Sequence, residues 1–464
     1  MEKRRKLWPW LTTCAALAVA AAFGVARFSG RPVAEPPAGP ESIPQWRALL
    51  AVTLIVVVAR LGGTLAARFG QARVLGEVVA GVLLGPSLLG ILWPSAQQWL
   101  FAPGVGATME TLAQLGVLVF VFLVGTESAV SSRAVPLRPV AAISFCGLAV
   151  PFALGVLLAA ILPEVSLLGL PEGGNAAFAL FIGVSLSVIA LPVLARLVSD
   201  LGMRGTALGA LALRCAAVTD LVCWCLLGVA AALAGHRSPL GVAGSLVLTA
   251  AVAVLLLGVV RRGLGRLGDR QADRIPSGVP VGLLGGMLLT AAFTGLIGMH
   301  SVLGAFLFGA AVPKDLASKL RLDEKLQPFV SWLLLPLFFC VIGLNVHLDV
   351  VVRTPMLAAV LLLVVFFAVL GKWLGAGLTA RFSGYSWQQS NLLATLLNCR
   401  GLTELVVLDV GRRMGILPDA VFSLFVLMTL VTTVGGSVLA AGYAGPYRID
   451  KEAVRTQLIS QTRR

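Results

Sequence analysis

Residues 211–227 read LALRCAAVTDLVCWCLL, and they put a carboxylate, Asp220, in the middle of an apolar segment long enough to cross a bilayer. A charged group at that depth is expensive. It faces the protein interior or a water-filled cavity, and it marks an ion or proton path unless a buried cation holds it for structural reasons alone. The rest of the chain has to supply one or the other.

The 464 residues are 58 % hydrophobic and 12 % charged, with a mean hydropathy of +0.94. A water-soluble domain could not keep that much apolar surface from solvent. The composition predicts an all-α polytopic membrane protein. Its net charge of +15 lies in short loops rather than in a folded basic domain, which argues against a nucleic-acid partner. The seven cysteines all fall inside predicted spans, and none has zinc-site spacing. Cys223 and Cys225 point to different sides of one helix. No cofactor and no enzyme chemistry are expected.

Fourteen apolar segments can be counted, at about 7–28, 48–67, 74–93, 108–127, 138–162, 176–199, 206–234, 240–260, 278–297, 299–313, 328–347, 355–380, 389–411 and 418–442. The run from Gly278 to Pro313 is broken only at Ile297–His300. Both its flanks are basic, and basic loops stay in the cytoplasm, so the run has to cross twice. With both termini inside, 25 of the 36 Lys and Arg residues fall in inner loops and 7 in outer ones, while Arg60, Arg214, Lys372 and Arg400 lie within spans. Residues 1–28 form either the first span or a cleaved signal peptide, so 13 or 14 transmembrane helices are expected. Residues 29–47 read as a Pro-rich outer linker, residues 48–442 as the transmembrane domain and residues 443–464 as a short cytoplasmic tail.

Two spans carry breaks. In VSLSVIALPVLARLVSD, Pro192 removes a backbone hydrogen bond, and Ser185 and Ser187 can bond freed groups. Carbonyls freed at mid-membrane are ready ligands for a small cation. In LATLLNCRGLTELVVLDVG, Asn398, Arg400, Gly401 and Glu404 interrupt an apolar run, and Arg400 and Glu404 are spaced to face each other on a helix. One broken segment in each half, fourth in blocks of five segments with opposite topology, is the pattern of an inverted-repeat transporter. Lys372 either snorkels to the cytoplasmic interface or neutralises Asp220 when no ion is bound. Glu77 and Glu127 lie near span ends and read as helix-end groups. His236, His300 and His347 lie near outer ends and read as surface groups.

These residues resemble the cation:proton antiporter-2 family of monovalent cation/proton exchangers. The similarity runs from about Arg60 to Leu439. It shows in RVLGEVVAGVLLGPSLLG (73–90), LGVLVFVFLVGTE (115–127), LPVLARLVSDLG (191–202), GAFLFGAAVP (304–313), LPLFFCVIGL (335–344) and, most specifically, NCRGLTELVVLDVG (398–411). The resemblance implies two inverted five-helix repeats with crossing discontinuous helices. It also implies a core, about 138–234 and 355–442, that moves against a dimerising scaffold, about 48–127 and 278–347. Asp220 matches the family's ion- and proton-binding aspartate, and Lys372 its intramembrane lysine. Thr219 stands where the family usually has Asp, Asn or Gln. Ile189 replaces a threonine, and Arg214 replaces a small residue.

The expected function is exchange of protons for Na⁺ or K⁺ at Asp220, a transient metal ligand, by alternating access across the cell membrane, in a homodimer. Thr219, Ser185, Ser187 and freed carbonyls would complete the shell. Arg400 and Glu404 would hold the second broken helix, and Arg214 would add a nearby charge. Proton-driven export of an organic solute is the alternative on the same fold. A channel or a non-transporting sensor ranks below it, since nothing resembles a selectivity filter.

Overall fold

The computed structural model describes residues 45–127, 136–165, 168, 176–203, 206–234, 239–268, 276, 278–297, 299–348, 351 and 354–444. The first span or signal peptide, the linker up to residue 44, the tail from 445 and His236 lie outside the described residues. Among those described the chain is helical, with no strand. Among the described residues, ten helices are long and apolar enough to cross a membrane. They expose large apolar side chains such as Leu289 (75 %) and Leu362 (71 %). Water would not tolerate so many exposed apolar side chains on helices this apolar, but a lipid solvent does. The protein is an all-helical, multi-pass membrane protein.

In chain order the membrane helices are α1 (Gln45–Arg68), α2 (Arg73–Leu84), α3 (Pro103–Glu127), α4 (Leu137–Ile161), α5 (Ala176–Ser187), α6 (Leu191–Asp200) and α7 (Ala207–Ala234). Next come α8 (239–268), α9 (Val279–Leu296) and α10 (Ser301–Ala311). The last are α11 (Leu322–Leu344) and α12 (Pro355–Phe382), then α13 (Trp387–Leu397), α14 (Leu402–Arg413) and α15 (Asp419–Tyr443). All thirteen segments expected from residue 48 onward have a helical counterpart. The run 278–313 does divide into two helices. A methyl on Gly304 would lie 2.4 Å from the Thr290 carbonyl oxygen, so α10 folds back along α9.

The described residues fall into two units, 1–120 with 324–349 and 121–323 with 350–464. In the first, glycines let backbones touch. A methyl on Gly76 would lie 2.0 Å from the Gly62 carbonyl oxygen, and one on Gly81 would lie 2.2 Å from that of Cys340. Arg60 is accounted for here. It donates to the Ser331 carbonyl at 2.7 Å, where α11 loosens into a π turn at Val330–Leu334.

The second unit holds the broken helices. Small residues again set its geometry. Gly155 on α4 meets the Gly183 backbone on α5, and Gly371 and Gly375 on α12 meet Pro151 and the Cys146 carbonyl on α4. Lys372 sits between the two α12 glycines, so this close approach carries it against α4 and the end of α5.

Candidate functional site

The first break falls at Val188–Ala190, between α5 and α6. Pro192 does not itself sit in the gap. It occupies the first turn of α6, where its missing N–H leaves no bond unmade and its fixed φ suits the helix. The second break falls at Asn398–Gly401, and Gly401 adopts φ +154°. The two gaps meet: the Ala190 N–H donates to the Cys399 carbonyl at 3.1 Å, and Thr403 Oγ1 lies 3.4 Å from the Ile189 carbonyl oxygen. The discontinuous helices therefore cross at their gaps.

A half-helix ending inside a membrane leaves carbonyls without partners and the negative end of its dipole exposed. Here two cations take them. Arg400 donates from Nη1 to the Ser185 carbonyl at 2.6 Å and from Nη2 to the Leu186 carbonyl at 2.7 Å. Lys372 Nζ donates to the Ser187 carbonyl and to the Gly147 carbonyl at 3.2 Å. Arg400 also pairs with Glu404 Oε1 at 2.9 Å, both side chains fully buried. Thr433 Oγ1 donates to the Arg400 carbonyl at 3.0 Å.

Two expectations are corrected by this geometry. The carbonyls freed in the first broken helix are not open ligands, because Arg400 and Lys372 occupy them. Lys372 does not snorkel to water: it is 1 % exposed and held by α4 and α5. Ser187 Oγ donates toward the Gly183 carbonyl oxygen at 2.8 Å or that of Leu148 at 3.0 Å, which leaves its lone pairs able to accept. The spacing of Arg400 and Glu404 does bring them together, yet Arg400 ties the second broken helix to the first rather than serving the second alone.

What remains is a set of buried groups without side-chain partners. Asp220 is 2 % exposed; the Leu191 N–H at the start of α6 is directed at its carboxylate, but neither oxygen has a side-chain partner or a well-formed hydrogen bond among the described residues. Thr219 Oγ1 and Ser185 Oγ are likewise buried and unpartnered. So is Trp224 Nε1, one helical turn beyond Asp220. Two carboxylate oxygens so poorly matched inside a folded protein cost too much to be incidental. They have acceptor capacity for a proton or a small cation, and Thr219 and Ser185 add hydroxyl oxygens of the same hard-donor kind. Arg214 stands apart. It lies six residues before Asp220, about 9 Å along the axis and on another face of α7. That face is the one exposing Val218, Leu221 and Val222.

The chain matches the sodium/hydrogen exchanger transmembrane family over residues 54–441. It belongs to that family. The exchanger is 35 % identical to the Na(+)/H(+) antiporter NhaS4 of Synechocystis over 393 residues, covering 82 % of this chain and 93 % of that protein. It is 35 % identical to Cation/H(+) antiporter 20 of Arabidopsis thaliana over 83 % of this chain and 47 % of that one. It is 30 % identical to K(+)/H(+) antiporter 1 of Saccharomyces cerevisiae over 83 % and 45 %. It thus spans about half the length of these plant and yeast relatives. Its fold matches the structure of the sodium proton antiporter MjNhaP1 from Methanocaldococcus jannaschii with a TM-score of 0.57, at 15 % identity, over 87 % of this chain and 98 % of that one.

Two features of the exchanger's site escaped sequence reading. The carbonyl contacts of Arg400 needed the crossing to be known. Trp224 offered a signal: a tryptophan at mid-span, away from the interfaces where such residues gather.

Proposed function

We propose that this exchanger is a secondary active antiporter that trades protons for a monovalent cation, Na⁺ or K⁺, at Asp220 by alternating access. The observation that carries the reading is the buried Asp220 carboxylate, faced by the N-terminus of α6 at Leu191 and with no side-chain partner on either oxygen among the described residues. Thr219 and Ser185 are the side-chain oxygens that complete the shell. Lys372 and Arg400 neutralise the C-terminal end of α5, so the crossing stays closed and dry while Asp220 alternates between proton and cation. Glu404 balances Arg400, and Arg214 tunes the field from its exposed face.

Family membership supports exchange, and the relatives' names, which cover Na⁺/H⁺, K⁺/H⁺ and cation/H⁺ antiport, support a monovalent cation without choosing one. The opposite topologies of segments three to seven and ten to fourteen support inverted repeats. The basic inner loops support a cytoplasmic C-terminus, and the proposal places the protein in the cell membrane. A homodimer built on the scaffold helices completes the proposal.

The test is a pH gradient in everted vesicles with Na⁺, K⁺ and Li⁺ added in turn. Saturable collapse of the gradient by one of them is expected. A gradient indifferent to all three overturns the reading.

A further inference from the structure

Asp220, Trp224 and Gly228 follow one another at four-residue intervals along α7 and share one of its faces. Helix α10 and the residues just before it cover the outer part of that face. A methyl on Gly228 would lie 2.8 Å from Met299 Cε and 2.9 Å from Leu303 Cδ2. One turn earlier, the Trp224 ring stacks on Phe306, with centroids 6.1 Å apart and planes at 27°. Numbers rise along α10 as they fall along α7, so the pair runs antiparallel. Asp220 then comes level with Gly309 and Ala310, where α10 carries nothing larger than a methyl. The aromatic stack thus ends one turn short of the carboxylate, and the position a side chain on Gly309 would take is filled by the Phe122 carbonyl of α3, 2.2 Å from an added methyl.

Trp224 is 2 % exposed, and its Nε1–H has no partner among the described residues. A buried indole N–H normally finds an acceptor. It is a donor only and cannot ligate a cation itself. One turn away lie Asp220 and Thr219, with three oxygens between them that have no side-chain partner among the described residues. We propose that Trp224 is a specificity-determining residue of the exchange site, whose indole N–H holds a water that the bound cation keeps. A donor at that position rewards a cation arriving with part of its hydration shell, and Na⁺ holds water more tightly than K⁺. Trp224 therefore favours Na⁺, while its stack on Phe306 closes the site on the α10 side.

This inference rests on the exchange reading of Asp220, and the experiment separates the two. Parent, Trp224→Phe, Phe306→Leu and Asp220→Asn are reconstituted in proteoliposomes, and proton movement is followed against Na⁺ and K⁺ concentration. Trp224→Phe keeps the ring and removes the donor. It is expected to raise the half-saturating Na⁺ concentration by about three- to tenfold, the effect of one lost hydrogen bond, and that of K⁺ by less, so that the Na⁺/K⁺ preference falls. Phe306→Leu keeps the donor and should leave the Na⁺/K⁺ preference as in the parent. A purely packing role would leave the preference untouched in both. If Trp224→Phe fails to fold, benzothienylalanine at position 224 keeps the bicyclic ring and removes only the N–H. An unchanged Na⁺/K⁺ preference in either donor-less protein, beside an active parent and an inactive Asp220→Asn, overturns the role of Trp224 alone. A parent that moves no protons in response to either cation sinks the exchange reading, and this inference with it.

Discussion

Arg400 and Glu404 are fully buried and touch at 2.9 Å, so neither is replaceable alone. Arg400→Ala strands the Glu404 carboxylate and two carbonyls of α5 in a dry interior. Breaking a buried pair from one side costs about 3–5 kcal/mol, so the variant should show a large drop in unfolding temperature in detergent. A shift of a degree or two would mean that water or another cation takes over. Asp220 behaves in the opposite sense. Its oxygens have no side-chain partner among the described residues, so replacing the carboxyl with an amide removes a burial penalty. Asp220→Asn should abolish cation-driven proton movement and leave thermal stability equal or higher. Loss of both activity and stability would instead mark Asp220 as a structural group.

The broken helices depend on one backbone conformation. Gly401, at φ +154°, lies in a region that side chains other than hydrogen rarely occupy. A methyl there would also sit 2.9 Å from Val193 Cγ2 on the other broken helix. Strain of this kind costs about 1–3 kcal/mol, so Gly401→Ala should lower the unfolding temperature and slow exchange together. Gly435 on α15 is the control. An added methyl there meets nothing within 4 Å, and Gly435→Ala should be neutral or mildly stabilising. Equal effects at both glycines would show that the crossing tolerates rearrangement.

For the molecule as a whole, the charges decide orientation and current. The basic stretch after the membrane-crossing part of α8 carries Arg261, Arg262 and Arg266, and it belongs in the cytoplasm by the positive-inside rule. A cysteine at position 262 should resist impermeant reagents applied to intact cells, and ready labelling would invert the topology. Exchange of one proton for one monovalent cation at a single carboxylate moves no net charge. A lysine snorkelling to the interface would keep its proton and favour that stoichiometry, but Lys372 is 1 % exposed, so that ground does not hold. A different ground takes its place. Lys372 is held against the Ser187 and Gly147 carbonyls, at the negative end of α5, rather than against Asp220. Transport rates in proteoliposomes should therefore vary little with a clamped membrane potential. Steep voltage dependence, abolished by Lys372→Gln, would show that the lysine gives up its proton in each cycle.

Membrane helices are legible because each must satisfy its backbone internally and present an apolar surface of fixed length. That constraint is local, so thirteen segments from residue 48 onward could be read from hydropathy. The two breaks were legible from Pro192 and Gly401, whose backbone limits are intrinsic to the residue. Asp220 stood out for the same reason, as a charge where lipid permits none without cause. Partnership is another matter. Nothing local says that Arg400 reaches Ser185 and Leu186, more than two hundred residues earlier, or that Lys372 turns inward to α5. Those contacts exist because glycines on α4, α5 and α12 let three backbones approach, and because the two gaps cross where each leaves carbonyls or N–H groups unmade. The sequence by itself determined which groups were expensive to bury. Only the tertiary structure decided which of them were matched to each other, and so left Asp220 as the one fully buried carboxylate with no side-chain partner on either oxygen among the described residues.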